Sequence, residues 1–157
     1  MLKTYICVAC EKVLITKQET ASLISLFSRI VLQVGKGTQI ARDAVLPREW
    51  FVFGVWDTEP EDADQEFDCF FQMLYPDGTQ FSEVVKVSFK PVAPIRRSQV
   101  YFQMPGFPIS QKGFYTIKVW IEQAGKQVIA PIEFKLELEI IEVDTQVKNE
   151  AIQNATG

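Results

Sequence analysis

Along most of this chain hydrophobic and polar residues alternate with a period of two. Between residues 132 and 140, Ile132, Phe134, Leu136, Leu138 and Ile140 fall on one side of an extended segment. Glu133, Lys135, Glu137 and Glu139 fall on the other. Successive side chains of a strand point to opposite faces, so the pattern predicts a strand with one buried and one wet face. Residues 115–122 repeat it: Tyr115, Ile117, Val119 and Ile121 oppose Thr116, Lys118 and Glu122, with Trp120 breaking the polar face. In 67–75, Phe67, Cys69, Phe71, Met73 and Tyr75 share a face. In 81–90, Phe81, Val85, Val87 and Phe89 oppose Ser82, Lys86, Ser88 and Lys90.

Two stretches are apolar on both faces, Tyr5 to Cys10 and Trp50 to Trp56. Such runs suit central strands covered on both sides. A two-layer packing covers only one side, so a second cover is expected there: a loop, the tail or a partner. Residues 22–34 are ambiguous. Leu23, Leu26, Phe27, Ile30 and Val34 have helical spacing, but Ile30-Val31-Leu32-Gln33-Val34 is rich in strand formers, and a strand is favoured. The turns are legible: Gln18-Glu19-Thr20, Tyr75-Pro76-Asp77-Gly78-Thr79 and Gln123-Ala124-Gly125-Lys126, with a break at Met104-Pro105-Gly106-Phe107-Pro108. About eight or nine short strands with little helix predict an all-β fold, an antiparallel β-sandwich of immunoglobulin-like or C2-like type. The sandwich domain spans residues 1–142, and 143–157 form a polar tail, frayed or a short helix.

Composition bounds the rest. At 157 residues the chain fits one domain, and with 47% hydrophobic and 23% charged residues it is ordinary globular material. A net charge of −4, with Arg96-Arg97 the only adjacent basic pair, disfavours nucleic acid and anionic membranes. No apolar run approaches the ~20 residues of a membrane helix. The apolar stretch from Thr4 to Cys10 is marginal for a signal peptide and runs at once into Glu11 and Lys12. Three cysteines, an odd number, suit a reducing cytoplasm. In that setting the sequon Asn154-Ala155-Thr156 is a chance match.

Candidate chemistry is sparse. The chain has no histidine, which removes imidazole ligands and His-dependent triads. Gly35-Lys36-Gly37-Thr38 lacks the first glycine and the spacing of a phosphate-binding loop and reads as a plain loop. Cys7-Val8-Ala9-Cys10 lacks the second half of a zinc site. It sits mid-strand, where residues three apart diverge to opposite faces, so it reads as two buried small residues. The acidic stretch 57–68 offers Asp57, Glu59, Asp62 and Asp64 as calcium ligands. Its blander reading is a solvated loop whose charges discourage edge pairing. Adjacent acids on a loop tip do not give the fixed separation a glycosidase requires. No cofactor is implied, and no catalytic constellation stands out.

The aromatics are more pointed. Phe70, Tyr101 and Trp120 each occupy an otherwise polar face, and exposed aromatics on a sheet anchor protein partners or stack sugars. The alternative is that these faces are covered or that single apolar residues are simply exposed. The segment Ile6-Cys-Val-Ala-Cys10-Glu11-Lys-Val13-Leu14, the later Leu23-Ile-Ser-Leu-Phe27-Ser-Arg29-Ile30, the apolar strand, the acidic loop and the Asp-Gly hairpin together resemble a family of small uncharacterised bacterial single-domain β proteins. The resemblance covers roughly residues 3–142 and implies a bacterial, cytoplasmic, single-domain protein with no assigned activity. The expected function is a non-enzymatic binding module that contacts a protein partner or itself through Phe70, Tyr101 and Trp120, with the acidic loop as a charged rim. The alternative is a carbohydrate- or calcium-binding sandwich using loop 57–68.

Overall fold

Strands form where the alternation is cleanest. The computed structural model describes residues 2–16, 21–92, 94 and 96–144. Among these, twelve strands occur: β1 (Lys3–Ile15), β2 (Ala21–Leu26), β3 (Arg29–Gly35), β4 (Val45–Leu46), β5 (Trp50–Asp57), β6 (Phe67–Leu74), β7 (Val85–Phe89), β8 (Arg97–Met104), β9 (Phe107–Pro108), β10 (Gly113–Gln123), β11 (Lys126–Gln127) and β12 (Ile132–Val143). The one helical element described is a 3-10 turn at Pro60–Asp62. The fold is therefore all-β, as the pattern predicts. The excess over eight or nine strands comes from three two-residue strands and from the split of 21–35 at Phe27-Ser28.

The four-stranded sheet runs β2-β1-β5-β8, all antiparallel. The larger sheet runs β3-β12-β10-β6-β7, with β11 on β10, and β4-β9 form a small third ladder. One pair departs from the antiparallel expectation: β3 lies parallel to β12, from Arg29↔Glu137 to Gly35↔Val143. The chain arrives there by crossing between sheets at Phe27 and Ser28. The Phe27 N–H bonds to Ala9 of one sheet, while the Ser28 carbonyl accepts from Glu137 of the other. A strand entering from the opposite sheet need not reverse direction like a hairpin strand, so its orientation follows from the crossover.

The core lies between the two large sheets. Tyr115, Ile117, Val119 and Ile121 are fully buried, as are Cys69, Phe71 and Met73. Rings meet across the gap: Phe71 of β6 lies 5.3 Å from Phe102 of β8, and Trp56 of β5 stacks on Phe89 of β7 at 6.2 Å. Trp50 packs against Phe107 and donates its indole N–H to the Gly106 carbonyl at 3.0 Å. The Tyr115 hydroxyl donates to the Gln111 carbonyl four residues upstream at 2.7 Å, pinning the entry to β10.

Two local expectations need correction. The strand over 81–90 is confined to Val85–Phe89, because Phe81 turns back to pack edge-on against Tyr75 at 5.6 Å. The run Tyr5–Cys10 is covered only in part: Ala9 and Cys10 are buried, Ile6 to Val8 are half-buried, and Tyr5 is exposed beneath Arg97. The Asp77-Gly78 and Ala124-Gly125 turns form as read, with Gly78, Ala124 and Gly125 at positive φ. The expected turn at 18–20, the tail beyond 144 and the sequon lie outside the described residues. No described helix is long and apolar enough to cross a membrane.

Candidate functional site

Register decides which side chains share a face. Across β1, β5 and β8 three cross-strand rows form: Ile6–Val55–Gln99, Val8–Phe53–Tyr101 and Cys10–Phe51–Gln103. All face away from the inter-sheet core, because the intervening positions Cys7, Ala9, Val52, Val100 and Phe102 belong to that core. Cys10, Phe51, Phe53 and Val55 thus make a second hydrophobic cluster on the outside of the four-stranded sheet, framed by Ile6, Val13, Ala21 and Leu23. Tyr101 meets Phe51 edge-on at 6.2 Å and stays 43% exposed.

The apolar face extends onto an arm. β1 pairs with β5 only as far as Cys10, yet its register with β2 continues to Ile15↔Ala21. The two strands therefore run on as a ribbon beyond β5, with Val13, Leu23, Ile15 and Ala21 on the face that continues the cluster. A two-stranded ribbon is at best marginally stable alone, so its apolar residues tie it to the sheet. Ile15, at its end, is 50% exposed.

The outer face of the larger sheet has the opposite character. Lys118 pairs with Glu133 at 2.8 Å, Lys86 and the Ser88 hydroxyl bind Asp68 at 3.3 and 2.6 Å, and Arg29 bridges Glu137 and Glu139. These bonds hold the Asp68 carboxyl below its ordinary pKa, the Ser88 hydrogen bond contributing most. Phe70 and Trp120 are cross-strand partners there. Their rings stack face to face at 5.2 Å with 9° between planes, and the Trp120 indole N–H donates to Glu122 at 3.0 Å.

The three aromatics singled out from the sequence therefore do not form one surface. Phe70 and Trp120 lie on β6 and β10 of the larger sheet, and Tyr101 lies on β8 of the other. Sequence alternation shows that each faces outward but not which sheet carries it. The partners of Tyr101, Phe53 across the ladder and Phe51 by ring contact, were hidden in an all-apolar run. Their signal was the need for a second cover over residues 50–56.

The acidic loop does not assemble a cation site. The Asp57 carboxylate accepts from Arg97 at 3.0 Å, and Asp62 accepts from the Glu59 N–H at 2.9 Å, capping the 3-10 turn. Asp64 is exposed at a positive-φ position. No cluster of three or more potential metal ligands occurs among the described residues. The calcium set Asp57, Glu59, Asp62 and Asp64 is thus dispersed by local bonding. What this end of the molecule has instead is an open cleft of about 670 Å³ lined by Asp57, Thr58, Glu59, Pro60, Arg96 and Arg97. The Arg97 guanidinium lies 3.9 Å over the Tyr5 ring.

The thiols are free and divergent, as strand geometry requires. Cys7 packs into the inter-sheet core and Cys10 into the outer cluster. Burial pushes the Cys7 thiol up to about 12 and raises Cys69 further, the facing Cys7 adding to the effect. Both are the reverse of an activated nucleophile. Gly35 to Thr38 close a plain turn, the Thr38 N–H bonding to the Gly35 carbonyl at 3.0 Å. Comparison with protein-family models and with curated proteins finds no match.

Proposed function

We propose that this protein is a non-enzymatic interaction module that binds a protein partner through the outer face of its four-stranded sheet. The observation that carries the reading is the contrast between the two outer faces. One is laced with ion pairs, the ordinary solution for a wet sheet. The other holds Phe51, Phe53 and Val55 in register as a buried apolar cluster, with Ile6 and Val8 half-buried beside it and Tyr101 exposed at its edge, and continues along the β1–β2 arm to the exposed Ile15. Exposed apolar side chains seated on an apolar cluster, with polar neighbours around them, have the composition of interaction sites. Tyr101 and Ile15 would be the accessible anchors.

Several further readings accompany this one. The sandwich is immunoglobulin-like in path: β5 pairs β8 and β6 pairs β10, and the Tyr115–Gln111 bond corresponds to the tyrosine corner of that class. The protein is cytoplasmic and belongs with the small bacterial proteins that its residues 3–142 resemble; its three free thiols support a reducing compartment. A second binding mode, a sugar-sized polar ligand in the cleft at Asp57–Pro60, draws on the carboxylates and guanidinium groups lining it. Calorimetric titration with a panel of simple saccharides tests that mode, and no heat removes it.

The main reading is tested by photo-crosslinking. A benzophenone amino acid replaces Ile15 on the apolar face or Phe114, which is 54% exposed on the charged face. Irradiation in the native host should give a discrete adduct from position 15 and none from position 114. Equal labelling at both positions, or none at 15, overturns it.

A further inference from the structure

The two large sheets expose four edge strands, and three carry features that hinder pairing with another chain. β7 spans five residues, with Lys86 inside it and Lys90-Pro91 after it. β2 is kinked where Ser25 takes φ 54, next to its crossover. β3 is fastened by Arg29 to Glu137 and Glu139 and ends in the turn at Gly35 to Thr38. Charge, kinks and short length are the usual protections of an edge. β8 is neither short nor kinked, and its single charge is held at its end. Its eight residues hold an unshifted register with β5 and contain no Lys, Gly, Pro or positive φ. Its one charge, Arg97, is tied to Asp57 and stacked on Tyr5. Among the described residues β5 is its only ladder partner.

We propose that β8 pairs antiparallel with β8 of a second copy of this chain, about a two-fold axis at Tyr101, joining two four-stranded sheets into one. This rests on the reading of that sheet as an interaction surface and names the partner that its edge fits. A two-fold axis at Tyr101 sets Tyr101 against Tyr101, Gln99 against Gln103 and Val100 against Phe102. Amide meets amide and ring meets ring on the outer face. Inside, Val100 and Phe102, only 3% and 4% exposed, extend the core of one copy toward the other. No like charges meet, since Arg97 falls opposite Pro105, beyond the strand. Self-complementarity of this kind is what an isologous interface requires. The two outer apolar clusters, each capped by an exposed Tyr101, then lie side by side across the joined sheet.

Light scattering on the full chain at high micromolar concentration should give twice the 17.9 kDa chain mass. Tyr101→Lys sets two ammonium groups opposite one another and should weaken association at least about tenfold, because like charges directly opposed in a ladder repel. Tyr101→Glu should do the same, and mixing the two variants should restore a dimer containing one of each. On the unmodified chain, amide exchange across Ser98–Met104 should slow as protein concentration rises. A monomeric wild type, a dimer indifferent to Tyr101→Lys, or no recovery in the mixture overturns the pairing. Adducts at position 15 that persist in such a case leave the interaction reading standing; loss of both sinks the two together.

Discussion

Replacing Gly54 with alanine adds one methyl group to the inner face of β5, where the Trp56 indole already lies. A Cβ at position 54 would sit 2.1, 2.7 and 2.9 Å from three carbons of that ring. The tryptophan cannot swing clear: it is fully buried and stacked on Phe89 at 6.2 Å. Two effects compete. Alanine restricts the unfolded chain, which favours folding by about 0.4–1 kcal/mol. Forcing a methyl into a packed core costs about 1–3 kcal/mol, and the rigid ring places this site at the upper end. The clash wins by about 2–2.6 kcal/mol net, and Tm should fall by roughly 4–10 °C, at about 2–4 °C per kcal/mol for a domain of this size. Thermal melts followed by circular dichroism measure it. Trp56→Phe removes the ring atoms that clash, so Gly54→Ala should cost at least about 1 kcal/mol less in that background. If Gly54→Ala is as stable as wild type, or costs the same in both backgrounds, the steric explanation fails.

Two further outcomes follow from local geometry. Ala124 holds φ 50 in a two-residue hairpin between Gln123 and Lys126, a conformation that asparagine tolerates far better, so Ala124→Asn should stabilise by roughly 0.5–1 kcal/mol in urea denaturation. Alkaline pH should weaken the fold. Burial lifts the Cys7 thiol from 9.0 and the Tyr115 hydroxyl from 10.0, each to about 12, so the unfolded chain releases these protons first. Their stabilisation is complete below about pH 9 and is lost as pH climbs toward 12, so the urea midpoint should drop between pH 8 and pH 10.5. An unchanged midpoint would contradict the burial of these groups.

Alternation made β6, β10 and β12 legible residue by residue, because a strand with one wet face writes its orientation into every second position. The turns at Asp77-Gly78 and Ala124-Gly125 were legible for a similar reason: they depend on a few neighbouring residues. The cysteine motif was equally local, since a strand sends Cys7 and Cys10 to opposite faces whatever surrounds it. The acidic loop was not legible. Its carboxylates are dispersed by a distant arginine, Arg97, and by a 3-10 cap at Asp62 that charge spacing does not reveal.

Residue pattern alone makes the chain all-β, requires cover on both faces of Trp50–Trp56, and turns Phe70, Tyr101 and Trp120 outward. These are properties of single strands, set by the pleat. Tertiary structure alone decided which strands are neighbours. It put β3 parallel to β12, stacked Phe70 on Trp120 amid ion pairs, and aligned Tyr101 with Phe53 and Val8 on the other sheet. Those outcomes rest on register between segments far apart in the chain, and pairing energies of that kind leave no periodic trace in either segment alone.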